Sequence, residues 1–124
     1  MSDWTADELD RIGAADELQI APLSADGSLR PYTTIWVVRV GQDVYVRSYR
    51  GRGGGWFGRA VHRHAGRVRA GGVEREVAFE EPADADDAAI DQAYRDKYAG
   101  YSRAYVDPML SPDAAGATLR LTPR

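Results

Sequence analysis

The chain has 124 residues, a net charge of −3 at pH 7 and no cysteine. This length suits one domain, the 44% hydrophobic and 28% charged residues are typical of a globular protein, and the missing cysteines exclude disulfides, thiolate catalysis and cysteine-ligated metal clusters. No apolar run approaches the roughly 20 residues of a membrane-spanning helix, and residues 1–4 carry no basic or apolar signal segment. We therefore expect a soluble cytoplasmic protein with a single domain over residues 1–124.

Basic residues concentrate in the middle of the chain. The segment from Arg30 to Arg75 holds ten arginines and two acids, a charge of +8 (10 − 2), whereas the remainder holds 6 bases and 17 acids, a charge of −11. Two interpretations stay open: this segment faces an anion, or its arginines pair with the acidic terminal segments across the fold. Ten arginines are enough for both.

The first predicted element is a short helix that begins after Thr5. Thr5 and Glu8 have the spacing of a capping box, and Trp4 and Leu9 have the spacing of a hydrophobic staple. Gly13 is a suitable helix end. We interpret Trp4 as a structural anchor rather than a binding residue.

Three segments of strand character follow. Residues 17–23 alternate, residues 32–40 are rich in β-branched and aromatic side chains, and residues 44–49 alternate again. Because turn-forming residues separate them, we predict a three-stranded antiparallel meander. Alternation in the third strand places Val44, Val46 and Ser48 on one face and Tyr45, Arg47 and Tyr49 on the other.

A glycine-rich loop from Arg50 to Gly55 leads into a predicted short helix over residues 56–64. Gly71 and Gly72 then form a strong hairpin signal between strands over residues 67–70 and 73–80. Within the second of these strands, Arg75 interrupts an apolar face and would need a partner if it were buried.

The longest helix is predicted over residues 84–101, where one apolar stripe ends in three tyrosines. Residues 107–116 contain two prolines and are predicted as a loop, and residues 117–122 alternate as a sixth strand. The pattern predicts an α+β fold: a six-stranded antiparallel, partly open β-barrel with a short N-terminal helix and one long C-terminal helix.

The best candidate site is the junction of the third strand and the glycine-rich loop. Arginine forks suit phosphate oxygens, glycines let backbone amides approach an anion, and tryptophan faces suit a flat ring. The alternatives are a flexible connector with solvated arginines and, for the threonines, ordinary β-propensity. The candidate binding residues are Thr33, Thr34, Trp36, Arg47, Ser48, Arg50, Gly51, Arg52 and Trp56.

The histidines predict no metal site. His62 and His64 are two residues apart and do not share a helix face, and no acid lies nearby in sequence to complete a ligand set. Either histidine alone could act as a general base, although no nucleophile is adjacent to it.

A set of motifs is spread over nearly the whole chain: residues 30–38, 45–48, Gly51, Trp56, residues 90–98 and residues 118–123. Together they resemble an uncharacterised bacterial family, domain-of-unknown-function family 2255. The strand pair, the Arg-Ser dipeptide and the following tryptophan also resemble, more distantly, the flavin-binding split β-barrels: the pyridoxamine-phosphate oxidase-like proteins and deazaflavin-dependent nitroreductases.

The resemblance implies a six-stranded split barrel, commonly a homodimer, with FMN or a deazaflavin in a cleft at the dimer interface. By position, Thr34 and Trp36 would lie along the ring or its edge, and Trp56 would close the cleft. The phosphate would contact Arg47, Ser48 and Arg52. Hydride chemistry would then belong to the cofactor, and the protein would position it.

Three functions follow, in order of preference. The first is a flavin-type cofactor or similar phosphorylated aromatic ligand bound by a dimer, with oxidoreductase activity as a possible outcome. The second is a non-catalytic split-barrel module that binds a partner without a cofactor. The third is single-stranded RNA binding through arginine and aromatic side chains; it ranks last because the −11 of the remaining chain would repel a polyanion.

Overall fold

The computed structural model describes residues 3–124 and has an α+β architecture built on one curled antiparallel sheet. Met1 and Ser2, part of the segment that we searched for a secretory signal, lie outside the described residues. Over residues 3–124 the sheet has seven strands in the order β2-β1-β5-β6-β7-β4-β3. The strands are β1 (Leu18–Pro22), β2 (Thr33–Ile35), β3 (Val38–Val40), β4 (Asp43–Arg47), β5 (Ala65–Ala70), β6 (Val73–Glu80) and β7 (Thr118–Pro123).

The predicted strand over residues 32–40 is in fact two strands, which corrects the six-stranded prediction. β2 pairs with β1, with Leu18 opposite Ile35, whereas β3 pairs with β4, with Val38 opposite Tyr45. The two strands therefore lie at opposite edges of the sheet, and the three-stranded meander is wrong. The chain leaves the ladder at Val37, whose amide is bound by a side chain of a distant helix instead.

Five α-helices are present in the described part of the chain, so the prediction of two principal helices and a short one between strands is incomplete. They are α1 (Ala6–Ala14), α2 (Gly55–Arg63), α3 (Asp87–Lys97), α4 (Arg103–Val106) and α5 (Pro112–Ala115). The predicted loop over residues 107–116 contains a 3-10 turn, Asp107–Leu110, and α5. Prolines stand in the first turns of both, where a missing N–H costs little.

The long C-terminal helix is shorter than predicted at both ends. Asp86 caps α3 by accepting a hydrogen bond from the Ala89 amide, and Tyr98 already has non-helical backbone angles. At α1 the capping box between Thr5 and Glu8 is confirmed. Trp4 is buried and donates from its indole nitrogen to the Leu121 carbonyl at 2.9 Å, which confirms it as an anchor.

The two faces of the sheet bury two separate apolar clusters. Val44 and Val46 belong to the larger cluster, with side chains of α1 and α2. Tyr45 faces the other way, into a cluster with Ile90 and Tyr94 of α3. The predicted alternation along β4 is thus confirmed, and it places Arg47 on the α3 side of the sheet.

Candidate functional site

An aromatic cleft lies beside the ends of β2 and β4, and Trp36 and Trp56 both line it. Its volume is about 230 Å³. Trp36 and Trp56 are both half-buried in its lining, and Tyr105 of α4 stands at the cleft with 67% of its surface exposed. The lining residues are Thr34, Ile35, Trp36, Arg47, Tyr49, Trp56, Tyr105 and Met109.

The Trp36 ring is held by aromatic neighbours from the C-terminal end of α3. Its ring lies parallel to that of Tyr98, with 3.9 Å between centroids and 3° between planes. Tyr101 contacts it edge-on at 5.1 Å. Because one face of the indole is covered, a ligand ring can use only the other face or the edge.

Arg47 is a fully buried arginine whose donors are satisfied by the protein. Its side chain has 0% exposure and donates to the Asp91 carboxylate at 2.5 Å and to the Met109 carbonyl at 2.9 Å. Further bonds reach Thr118 Oγ1 at 3.1 Å and the Asp87 carboxylate at 3.4 Å. A buried charge needs such partners, so Arg47 ties β4 to α3 and β7 beneath the cleft.

Tyr94 lies under the same guanidinium, 5.6 Å from ring centroid to Cζ of Arg47. Within residues 3–124 its hydroxyl is the one buried side-chain polar atom without a hydrogen-bond partner. Burial raises the pKa of Tyr94 far above its ordinary value. The phenol therefore stays neutral, and it contributes packing rather than charge to this layer.

Ser48 and the glycine-rich loop pack against each other too closely for other residues. A Cβ on Gly54 would lie 2.3 Å from the Ser48 hydroxyl oxygen, and Gly51 has a φ of 71°. Ser48 is buried, and its carbonyl accepts from the Gly51 amide at 2.9 Å. The loop is therefore a folded 3-10 turn (Gly51–Gly53) and not a flexible connector.

A second, cationic cleft of about 510 Å³ opens on the other side of this loop, at the start of α2. Gly54 caps α2 without a side-chain oxygen, and the first amides of a helix have no intrahelical acceptor. Arg59 folds back over this turn, with Nη1 3.3 Å from the place of a Cβ on Gly55. The other basic residues that line this cleft are Arg30, Arg52 and His62.

Some of the ten arginines of the basic segment pair with acids of the protein, and others are left for an external anion. Five make ion pairs within residues 3–124, and four of these pair with acids outside the segment, as Arg75 does with Glu8 at 2.8 Å. The five are Arg39, Arg47, Arg52, Arg67 and Arg75. Arg30 and Arg59 have no ion pair in the described part of the chain and remain available to an anion.

The predicted site residues separate into groups. Thr34, Trp36, Arg47 and Trp56 line the aromatic cleft, and Arg52 lines the cationic one. Ser48 and Gly51 lie beneath the loop between them. Arg52 also donates to Glu81 at 2.5 Å, and this hydrogen bond lowers the pKa of Glu81 and raises that of Arg52.

Four predicted residues, Thr33, Ser48, Arg50 and Gly51, line neither cleft, and several lining residues were not predicted. Thr33 pairs with Ile20 in the sheet, and Arg50 is exposed with its guanidinium 5.8 Å from the Tyr49 ring centroid. The aromatic, basic and thioether lining residues missed by sequence reasoning are Tyr49, Tyr105, Met109, Arg30, Arg59 and His62. The signal that could have found Arg30 and Arg59 was their place in the basic segment.

A third and more open groove, of about 770 Å³, lies between α1, β3 and α3. It contains Lys97 and the ion pair of Arg39 with Asp10, but none of its lining residues is aromatic. In the described part of the chain, no group of three or more histidine, aspartate or glutamate side chains could hold a metal ion. No helix over residues 3–124 is both long and apolar enough to cross a bilayer.

Comparison with solved structures defines the class of fold. The chain resembles an F420 reductase with a TM-score of 0.62 and 11% identity, over 93% of this chain and 91% of that one. It also resembles the conserved hypothetical protein Rv2991 from Mycobacterium tuberculosis, with a TM-score of 0.61 and 12% identity, over 97% of this chain and 79% of that one. At these identities the likeness shows the fold alone.

Residues 8–121 match the model of the family described as "Uncharacterized protein conserved in bacteria (DUF2255)". The chain belongs to this family, which confirms the first resemblance, and its likeness to the two solved structures concerns the fold. The comparison with curated proteins found no match.

Proposed function

We propose that this protein binds a flavin-type cofactor, FMN or a deazaflavin, or a similar phosphorylated aromatic ligand. The observation that carries the proposal is the joining of two complementary clefts by one short segment, residues 52–56. An aromatic cleft lies on one side of it. On the other lies a cleft that holds the start of α2 and two arginines, Arg30 and Arg59, that form no ion pair within residues 3–124.

Size and chemistry support a ligand that extends over both clefts. The aromatic cleft, at about 230 Å³, is smaller than the roughly 300–1,000 Å³ of ordinary small-molecule sites, so a ring bound there would project outward. Oriented amides and arginine forks beside the first turn of α2 favour a phosphate. F420 is itself a deazaflavin, and an F420 reductase shares this fold.

Each predicted residue has a place in this proposal. Thr34, Trp36 and Trp56 would contact the ring, while Arg52 and the backbone at Gly51 would lie toward the phosphate. Arg50, at the exposed start of the loop, and Thr33, behind Thr34 on β2, stay as predicted neighbours of the ligand. Arg47 and Ser48 would support the site from below, because the Arg47 guanidinium and the Ser48 backbone groups already have protein partners. Arg30 and Arg59 would supply the unpaired positive charge.

If the cofactor binds, it would supply hydride transfer, and the protein would be an oxidoreductase. The chain's own part would be to orient the ring between two indoles and to hold the anion away from it. We further propose a homodimer, because the exposed Tyr49 and Tyr105 at the aromatic cleft are available to a second copy. Sedimentation of the purified protein measures this directly.

The decisive experiment is a titration of the purified protein with FMN and with a deazaflavin, followed by cofactor fluorescence and by absorbance from 350 to 500 nm. We expect saturable binding of at least one, with a Kd in the micromolar range or below. Riboflavin, which has the same ring as FMN without the phosphate, is the matched control and should bind more weakly. A colourless protein that binds neither cofactor rejects the proposal.

A non-catalytic binding module is the second candidate. The pairing of Arg47 with Asp91 and of Arg52 with Glu81 favours it, because two of the predicted phosphate contacts are occupied by protein carboxylates. Under this alternative, neither cofactor binds and replacing Arg30 or Arg59 by alanine leaves any small-ligand binding unchanged.

A further inference from the structure

The backbone at the break between β2 and β3 is held by side chains from a distant helix end. Trp36 and Val37 lie between strands at opposite edges of the sheet, so no ladder partner satisfies the Val37 peptide groups. The Val37 amide donates to the Tyr98 hydroxyl at 3.1 Å, and Lys97 Nζ donates to the Val37 carbonyl at 2.7 Å. Both groups come from the end of α3, about 60 residues away.

The Tyr98 hydroxyl bonds to backbone groups of two different segments of the chain. It accepts from Val37 and donates its own proton to the Asp16 carbonyl at 2.8 Å, before β1. Burial raises the pKa of Tyr98 above its ordinary value, so the phenol keeps that proton. The Val37 carbonyl lies within hydrogen-bond distance of two donors, Lys97 Nζ at 2.7 Å and the Tyr98 hydroxyl at 3.1 Å, so both side chains hold this peptide.

The same tyrosine ring stacks on Trp36, the residue immediately before this peptide. A hydroxyl fixed to the backbone at one end and a ring fixed to the indole at 3.9 Å leave Trp36 little rotational freedom. Without these contacts, a half-buried indole in the connection between β2 and β3 could adopt several rotamers. The stacked pair thus forms a pre-organised wall on the cleft side that Trp36 lines.

We propose that Tyr98, with Lys97 as a second anchor, is the positioning residue that fixes Trp36 as a wall of the aromatic cleft and thereby sets affinity for a flat ring. The part that concerns affinity rests on the proposed function. The part that concerns the Trp36 ring is a property of the unliganded protein and can be measured without any ligand.

The test compares Tyr98→Phe, which keeps the ring and removes the hydroxyl, with Tyr101→Phe, whose ring also contacts Trp36 but whose hydroxyl does not bind Val37. The three tryptophans give three indole N–H peaks in a ¹H–¹⁵N correlation spectrum, and Trp36→Phe assigns the relevant peak. We expect Tyr98→Phe to shift or broaden the Trp36 peak and to leave the Trp4 and Trp56 peaks in place. Tyr101→Phe should leave the Trp36 peak within its linewidth.

Ligand binding gives the second readout. We expect the Kd of Tyr98→Phe for FMN or the deazaflavin to rise about fivefold to tenfold, the effect of one hydrogen bond lost from a pre-organised site. An unchanged Trp36 peak in folded Tyr98→Phe overturns the positioning role. If that variant does not fold, Lys97→Met takes its place, since Lys97 is only half-buried, and an unchanged peak there overturns the proposal in the same way.

The two proposals fail separately. A wild-type protein that binds no cofactor rejects the proposed function, and the indole peaks still decide whether Tyr98 positions Trp36. A wild-type protein that binds, together with a Tyr98→Phe variant that binds equally well, rejects the effect on affinity and leaves the proposed function standing.

Discussion

The two clefts on either side of residues 52–56 are built on opposite principles. In the aromatic cleft the charge, Arg47, is buried and bound to protein carboxylates, and the exposed surface consists mainly of rings. The cationic cleft is lined in part by glycines, which leave the backbone accessible (Gly53, Gly54, Gly55 and Gly58). Its Arg30 and Arg59 have no ion pair within residues 3–124. The first cleft is therefore pre-organised by the fold, whereas the second leaves Arg30 and Arg59 to an external partner and pairs Arg52 with Glu81.

Removal of Arg47 should have the largest effect, because the aromatic side depends on a buried charge. We expect Arg47→Ala to lower the free energy of unfolding by about 3 kcal/mol or more, since Asp91 and the Met109 carbonyl lose their donor and a cavity is left. Arg50→Ala is the matched control, because Arg50 is exposed, and should change stability by less than about 0.5 kcal/mol. Urea unfolding measures both, and equal stabilities would contradict the assigned role of Arg47.

The segment between the clefts can be tested by adding one methyl group. We expect Gly54→Ala to cost about 2 kcal/mol, because its Cβ would lie 2.3 Å from the Ser48 hydroxyl oxygen. Gly53→Ala, where nothing lies within 4 Å, is the control and should be nearly neutral. Combining Gly54→Ala with Ser48→Ala should recover part of the lost thermal stability; no recovery would mean that the clash lies elsewhere.

The contribution of the cationic cleft to ligand affinity should depend on salt concentration, whereas that of the aromatic cleft should not. We expect Arg30→Ala and Arg59→Ala each to raise the Kd for FMN or the deazaflavin about tenfold at low ionic strength, and less at high ionic strength. Trp56→Leu should raise the Kd by a factor that does not depend on salt. Arg95→Ala, exposed on α3 and outside both clefts, is the control. Equal salt dependence in all variants would remove the distinction between the clefts.

The smallest expected effect concerns Lys97, behind the aromatic wall. Burial lowers its pKa from 10.5 to about 8, against the opposing charge of Asp16. The unfolded chain therefore binds more protons between pH 8 and 10.5, and the free energy of unfolding should rise with pH across this window. Because the ammonium is only half-buried, we expect a gain of about 1 kcal/mol or less.

Lys97→Met, which cannot titrate, supplies the reference for this measurement. The difference in stability between wild type and variant, followed by urea unfolding from pH 7 to 10.5, should move in favour of wild type as pH rises. Other titrating groups cancel in the difference. A constant difference would show that Lys97 keeps an ordinary pKa in the folded protein.

Local sequence rules predicted the elements whose causes are local. The capping box of Thr5 with Glu8 and the hairpin turn at Gly71 and Gly72 depend on residues within a few positions of one another, and both are present. The alternation of side chains between the two faces of β4 was predicted in the same way. The need of Arg75 for a partner followed from its place on an apolar face, but nothing in the sequence identified that partner as Glu8.

The candidate site was predictable in part, for the same reason. The aromatic, glycine and arginine residues near residue 50 pointed to the junction of β4 and the glycine-rich loop, and two clefts lie beside this junction. Their division into two clefts did not follow, because it depends on side chains from α3 and α4 that approach only in the folded chain. Arg47 shows this most clearly, since a fork suited to phosphate proved to be bound to Asp91.

The sequence by itself determined the α+β class, the capping box of α1 and the hairpin turn at Gly71 and Gly72, because the hydrophobic period and turn chemistry act over a few residues. Only the tertiary structure decided that residues 32–40 divide between two sheet edges and which arginines stay unpaired. Strand pairing and burial are settled by contacts between residues far apart in the chain, where a segment with high β-propensity has several possible partners.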